Sequence, residues 1–191
     1  MSRSNRLIMN KLDIKFKKKI RLKLKKELGI KNIMAVPKVE KVVINIGLGK
    51  AVQDKKWIEL SENILKKISG QKPIMIKARK SISNFKIREG NIIGSKVTLR
   101  GQKMYDFLEK LVNSAIPRFK DFYGLDFKKG FDGNGNYTLG LKEHIVFPEI
   151  GMDDIDKTHG LEITIVTSAI DNKQALALLK ALGFPFKKNK K

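Results

Sequence analysis

The stretch IIGSKVTLR, residues 92–100, carries the pattern on which the fold turns. Val97 and Leu99 fall on one side of an extended chain, and Lys96, Thr98 and Arg100 on the other. Successive side chains of a strand point to opposite faces, so this segment has one dry face and one wet face. After Pro37 the same alternation recurs, with Val42, Ile44 and Ile46 set against Val43 and Asn45 and a stop at Gly47-Leu48-Gly49. Tyr137, Leu139 and Leu141 form another alternating run, Leu161–Ile165 another, and Ile74–Ile76 predicts a short strand. Sheets with one wet face are usually antiparallel, with helices packed on the dry side.

Helical spacing fills the intervals. Trp57, Leu60, Ile64, Leu65 and Ile68 recur at three and four, closed by Gly70. Met104, Phe107, Leu108, Leu111 and Val112 predict a helix over 102–117, and Ala175–Leu182 a last one. Leu12, Phe16, Ile20, Leu24 and Leu28 lie four apart, a stripe that drifts round a helix, with Gly29 as its stop. Leu12, Ile14 and Phe16 also alternate, so a strand stays open at that point. The expected domain is an α+β unit over 11–186, with a basic extension at 1–10 and a basic tail at 187–191. Asn45, Lys96, Thr98, Arg100 and Thr164 are the candidates for its open sheet face, either as a ligand surface or as an ordinary solvated one.

Charge favours the ligand. The net charge is +22 over 191 residues, far beyond what solubility requires, and it is clustered. Residues 1–31 hold 12 Lys/Arg against 2 acids, residues 71–103 hold 9 against 1, and residues 187–191 add 4. The rest of the chain is neutral in sum. Compositional drift can inflate a Lys total but does not cluster it, so a polyanionic partner is implied. In the second zone Gln71, Lys72, Lys77, Arg79, Lys80, Lys86 and Arg88 present phosphate donors, with Glu89 the one acid among them. Phe85 in their midst would stack on a base or pack within the segment, packing being the plainer reading. Residues 77–91 read as a long loop, apolar only at Ile82, Phe85 and Ile87, and expected to be mobile until it meets RNA.

Other chemistries find little support. There is no Cys, which excludes disulfides, thiolate metal sites and cysteine nucleophiles. No apolar run approaches the roughly 20 residues needed to span a bilayer. The amino terminus lacks a secretory apolar region, although Arg3, Ser4 and Arg6 would suit a transit peptide. The Gly-Leu-Gly at 47–49 lacks the third glycine of a dinucleotide turn, since position 52 is Val52. Asp132, Asn134, Asn136 and Glu143 mimic calcium-loop spacing, but Tyr137 occupies the position that needs glycine, so the run reads as a turn. His144 and His159 match no metal motif, and Asp153, Asp154 and Asp156 read as a solvated acidic loop. No nucleophile–base pairing, metal site or cofactor site emerges.

The block LKKISGQKPIMIKARKSISNFKIREGNIIGSKVTLRG (65–101) closely resembles the signature region of the bacterial 5S-rRNA-binding large-subunit ribosomal protein family, the fifth of its subunit's series. AVPKVEKVVINIGLG (35–49), AIPRFKDFYGL (115–125), FDGNGNYTLGLKEHIVFPEI (131–150) and GFPFKK (183–188) look like that family's other blocks, in the same order. The resemblance implies an antiparallel sheet with helices on one face, the other face open for RNA, and a long basic loop after the second strand. It implies a non-enzymatic, ribosome-bound protein of the cytoplasm, with an organellar ribosome left open, and no cofactor, membrane or small-molecule substrate. The implied partners are 5S rRNA and large-subunit rRNA in the central protuberance, peptidyl-site tRNA, and a small-subunit head protein across a bridge. Carried onto this chain, the rRNA surface comprises Asn45, Gln71, Lys72, Lys96, Thr98, Arg100 and Thr164. The tRNA loop comprises Lys77, Arg79, Lys80, Ser81, Asn84, Phe85, Lys86 and Arg88. Four positions depart from the pattern. Ile76 stands where a small hydroxyl residue is usual, Tyr123 and Asn134 replace commonly basic positions, and His144 stands where Gln is usual. Two rival readings use the same charge: an RNA chaperone without a defined site, and a membrane-surface protein acting through the Lys-rich amino-terminal helix.

Overall fold

The alternation after Pro37 becomes the central strand of a five-stranded antiparallel sheet. The computed structural model describes residues 11–49, 56–119, 123–151 and 158–187. In chain order the helix α1 (Lys11–Lys15) passes through a π-helical turn (Phe16–Ile20) into α2 (Arg21–Glu27), followed by strand β1 (Val39–Gly47). Next come α3 (Lys56–Ser69), β2 (Ile74–Lys77), β3 (Ile92–Leu99) and α4 (Gly101–Lys110). The short α5 (Phe127–Gly130), β4 (Tyr137–Leu141), β5 (Leu161–Thr167) and α6 (Asn172–Ala181) complete the order. The sheet order is β2-β3-β1-β5-β4, every neighbour antiparallel.

Register follows from the dry face. Ile44 lies opposite Val97 on one side and Ile163 on the other, and Val42 lies opposite Leu99 and Ile165. All six are at most 1% exposed. They meet Ile64, Leu65 and Ile68 of α3, Met104, Phe107 and Leu108 of α4, and Leu178 and Leu179 of α6 in one core. Burying side chains of this size stabilises the domain by about 1.5–3 kcal/mol each, so the common face outweighs any local preference.

The amino-terminal ambiguity resolves as helix. Leu12, Phe16, Ile20 and Leu24 are all buried, and Ile14 only partly so. A spacing of four overshoots an α-helical turn of 3.6 residues by about 40° per step, so a straight α-helix would carry the stripe off the core. The π turn absorbs this overshoot: the Arg21 N–H donates to the Phe16 carbonyl, five residues back. The helix predicted over 102–117 begins at Gly101 and makes the same adjustment, through a π turn at Leu111–Ala115 and a 3-10 turn at Ile116–Arg118 that contains Pro117. The two irregular helices pack together, with the Phe16 and Tyr105 rings 6.2 Å apart.

The segment read as a long basic loop follows β2 as expected, and backbone hydrogen bonds fold it back on itself as a hairpin-like arm. It prolongs β2 and β3: the Ala78 N–H donates to Asn91 O (2.8 Å), and the Gly90 N–H to Ala78 O (3.0 Å). Farther out, Ile82 and Ile87 exchange backbone hydrogen bonds of 2.8 and 3.1 Å. The sequence pattern does not show these bonds because, beyond Ala78 at the base, the arm buries no side chain fully, so no alternation of polarity marks it. Asp132 closes the next turn, as expected of the Asp-Gly-Asn-Gly run. Its Oδ1 accepts the N–H groups of Asn134 (2.9 Å) and Asn136 (3.0 Å). Slight burial raises its carboxyl pKa, but the Asn136 side-chain amide donating to Oδ2 (2.7 Å) and these backbone bonds outweigh it and leave the value lowered.

Two outcomes test this architecture. Val97→Asp should unfold the domain, because an unpaired carboxylate in the core costs on the order of 3 kcal/mol or more. Thr98→Ala, on the wet face one residue away, should keep a native circular dichroism spectrum and lose less than about 1 kcal/mol. Separately, burial pushes the Tyr105 and Tyr137 phenols up to about 12, helped by Asp13 and Asp126 respectively. A folded-state pKa above the unfolded value of about 10 gives stability that is complete below pH 10 and lost as pH rises towards 12. The melting temperature should therefore fall between about pH 10 and 12, and a Tyr105→Phe/Tyr137→Phe variant should fall less steeply.

Candidate nucleic-acid interface

The strand register brings several predicted residues onto one surface. Lys96 lies opposite Asn45, and Asn45 opposite Glu162; in the next row Thr98 lies opposite Val43, Val43 opposite Thr164, and Thr164 opposite Thr138. Since directly opposed residues of antiparallel strands share a face, Asn45, Lys96, Thr98 and Thr164 form one contiguous patch. The Thr138 and Thr164 hydroxyls are 3.2 Å apart. Arg100 follows Thr98 in extended conformation at the N-cap of α4 and is exposed. Gln71 reaches the patch from the end of α3, its Nε2 donating to Thr98 O at 3.4 Å. Lys72 stands apart from the others: its Nζ lies 3.9 Å from Glu62 of α3, towards the helical layer.

Three members of this surface escaped the sequence reading. Thr138 was legible from the alternation of Tyr137, Leu139 and Leu141, which leaves it on the wet side. Glu162 was legible in the same way between Leu161 and Ile163. Ile74 pairs with Lys96 and is 66% exposed, an apolar side chain on the wet face that no periodicity marks. The resulting surface is chemically mixed: two cations for phosphates, two amides and three hydroxyls able to donate or accept, and one carboxylate that can only accept. Such a surface suits RNA, whose 2′-hydroxyls and base edges need neutral partners as well as charge.

The hairpin arm collects the second predicted set. Lys77, Arg79, Lys80, Ser81, Asn84, Lys86 and Arg88 are all exposed, and the Ser81 Oγ accepts the Glu89 N–H at 2.9 Å. Phe85 does not pack down: it is 69% exposed, with Ile82 beside it at 46%. The tip turn holds Lys86 in the left-handed region at φ 54°, its N–H donating to Ser83 O at 2.9 Å. For a non-glycine residue that conformation costs about 1–2 kcal/mol.

The four departing positions are placed as follows. Ile76 lies opposite Gly94 and is partly buried. Tyr123 is 81% exposed, and Asn134 is exposed in the Asp132 turn. His144 is fully buried and stacked on His159 at 4.6 Å, its Nδ1 accepting the His159 N–H at 3.3 Å. The two histidines thus meet as packed core residues. Asp153, Asp154 and Asp156 lie outside the described residues, as do 1–10 and 188–191.

Comparison with known proteins shows the family. Residues 32–88 match the family described as "Ribosomal protein L5", and residues 92–186 match the model of the C-terminus of the same ribosomal protein family. The large ribosomal subunit protein uL5 of Colwellia psychrerythraea is 54% identical over 180 residues, which is 94% of this chain and 99% of that protein. The uL5 protein of Mycoplasma mycoides is 54% identical over 179 residues, and that of Wigglesworthia glossinidia brevipalpis is 57% identical over 173, covering 99% and 97% of those proteins. This chain belongs to the bacterial-type uL5 family. The family is a structural, non-enzymatic component of the large ribosomal subunit. The first matched segment supplies β1 and β2, the second β3, β4 and β5, and all five belong to one sheet.

The membrane rival loses its basis here. The apolar side of α1 and α2, which would have to enter lipid, is buried in the core, and no helix among the described residues is long and apolar enough to cross a bilayer.

The arm's tip gives a direct check. Lys86→Asn should preserve slow hydrogen exchange at the Ile82 and Ile87 amides, because Asn tolerates the left-handed conformation. Lys86→Val, β-branched, should accelerate exchange at both. Equal protection in the two variants would show that the turn does not require that backbone geometry.

Proposed function

We propose that this chain binds 5S rRNA across its open sheet face and helps attach that RNA in the central protuberance of the large subunit. The hairpin arm contacts peptidyl-site tRNA, and a small-subunit head protein meets the chain at an intersubunit bridge. The observation that carries the rRNA assignment is the coplanar patch of Asn45, Lys96, Thr98 and Thr164, with Gln71 and Arg100 at its end. All belong to segments matched by the family. A sheet already backed by helices presents this patch without rearrangement, so little ordering entropy opposes binding. The arm suits a different partner. It projects beyond the core, its cations are exposed, and its tip offers Phe85 and Ile82 for stacking or apolar contact.

The recognition is of backbone and shape, supported by hydroxyl and amide contacts. Lys96 and Arg100 neutralise phosphates, while Asn45, Thr98 and Thr164 discriminate RNA by hydrogen bonding. An RNA chaperone using charge alone would need no such neutral row.

Thr98→Ala/Arg100→Ala should weaken 5S rRNA binding by about 2 kcal/mol, roughly thirtyfold, in a filter-binding or gel-shift titration. A variant with Lys77, Arg79, Lys80, Lys86 and Arg88 changed to Ala should still bind 5S rRNA within about tenfold, or 1.4 kcal/mol. It should enter subunits yet hold peptidyl-site tRNA less tightly. Equal affinity of the wild-type protein for 5S rRNA and for random RNA at moderate salt would favour the chaperone. Loss of 5S binding in the arm variant would place the arm in the rRNA interface.

A further inference from the structure

The row of the open sheet face beyond Asn45 and Lys96 carries no side chain on β1 or β3. Gly47 follows Asn45 by two residues and lies opposite Gly94, which precedes Lys96 by two. Both therefore belong to the wet face. At Gly94 the gap has a local cause, since a Cβ would come 3.1 Å from the Ile46 carbonyl oxygen. Gly47 has none. A Cβ there would meet nothing within 4 Å, and its φ lies outside the left-handed region. Gly49 is alike on both counts. Glycine in a strand gives up conformational freedom and packs nothing, and it often marks a place that a ligand approaches closely.

The missing side chains leave a cleft of about 310 Å³ where the end of β1 meets the helical layer. Gly47, Gly49 and Gly160 line it with bare backbone, and Thr158, Trp57 and His159 complete its wall. Trp57 is held from behind. It packs against the core with its ring 5.4 Å from that of His159, which is stacked in turn on the buried His144 at 4.6 Å. A ring fixed in this way loses little freedom when a flat partner meets it. The cleft is at the lower end of the size range of small-molecule sites, too small for a nucleic-acid helix and wide enough for one flat ring system.

We infer that this cleft takes one unstacked nucleobase of the RNA lying on the sheet, laid against Trp57. The occupant follows from continuity: Gly47 extends the face that presents Asn45 and Lys96, so an RNA strand tracking that patch reaches the cleft without leaving the sheet. This rests on the reading that the sheet takes 5S rRNA. It adds a readout that phosphate contacts do not provide. Only a nucleotide outside a continuous duplex can turn its face to an aromatic side chain, so the cleft selects RNA with an unpaired position beside the bound segment.

Trp57 is the only tryptophan in the chain, so its fluorescence reports on the cleft directly. The test titrates the full chain with 5S rRNA, with a continuous RNA duplex, and with the same duplex carrying one bulged adenine. 5S rRNA and the bulged duplex should quench Trp57 saturably. The continuous duplex should bind through charge alone and leave the emission unchanged. Gly47→Val fills the mouth of the cleft with a residue that strands favour. It should keep the wild-type circular dichroism spectrum and melting temperature, yet lose the quench and weaken 5S binding by about tenfold. Trp57→Phe, which keeps a stacking ring, should lose less affinity than Trp57→Leu, which keeps only apolar volume. The proposal is overturned if saturating 5S rRNA leaves wild-type emission unmoved, if the two duplexes quench equally, or if a folded Gly47→Val chain binds 5S rRNA as wild type does. Equal losses in the two Trp57 variants also overturn it, as does saturable quenching by free adenosine monophosphate at the same concentrations. Should Gly47→Val fail to fold, the two duplexes on the wild-type chain decide. Thr98→Ala/Arg100→Ala isolates the other reading. If that variant retains full 5S affinity the sheet assignment fails, while bulge-dependent quenching of the wild-type protein still reports on the cleft.

Discussion

Everything in this molecule depends on β1 being paired along both edges with strands distant in sequence. Ile44 sits between Val97 and Ile163, and Val42 between Leu99 and Ile165. The pairing fixes parity. A slip of one residue would turn Asn45, Lys96 and Thr98 into the core and put Ile44 and Val97 in water. Burying those polar groups without partners costs several kcal/mol, comparable with the whole stability of a domain. The dry face therefore holds the wet face in register, and the proposed RNA surface follows from core packing without a separate device to arrange it.

The same constraint explains where irregularity is tolerated. Both π turns occur in helices whose buried stripes would otherwise drift from the sheet-backed core, at Phe16–Ile20 and Leu111–Ala115. Each gives up regular hydrogen-bonding geometry to keep large side chains buried, a trade that favours burial because one such side chain outweighs one distorted bond. Beyond the core the chain obeys only local rules. The arm is held by backbone pairs at Ala78/Asn91 and Ile82/Ile87, and apart from Ala78, Ile87 and Asn91 its side chains are left to solvent. That freedom lets seven polar or cationic residues and Phe85 stand exposed together, at no cost to packing.

Charge and fold are set by different parts of the sequence. The +22 net charge opposes compaction, and it sits mainly on the outward side of α1 and α2, on the arm and beside the sheet, away from the buried cluster. Glu162, a carboxylate opposite Asn45 in the sheet patch, runs against that trend. It accepts hydrogen bonds and repels phosphate, so it shapes which part of an RNA can lie there.

The sequence by itself determined the strands and helices wherever one face met the core, because burial writes its period into residue type. Val97/Leu99 against Lys96/Thr98, and Ile64/Leu65/Ile68 in α3, are such cases. It also determined the family, through ordered blocks that cover nearly the whole chain. Only the tertiary structure decided that 77–91 is a paired arm with Phe85 exposed, since an element with no buried face leaves no polarity pattern to read. Only register could place Thr138 beside Thr164 and Glu162 beside Asn45, and only packing could set Lys72 towards Glu62. Those neighbours are joined by cross-strand pairing and packing between residues far apart in the chain, and no local spacing encodes which distant residue will stand opposite.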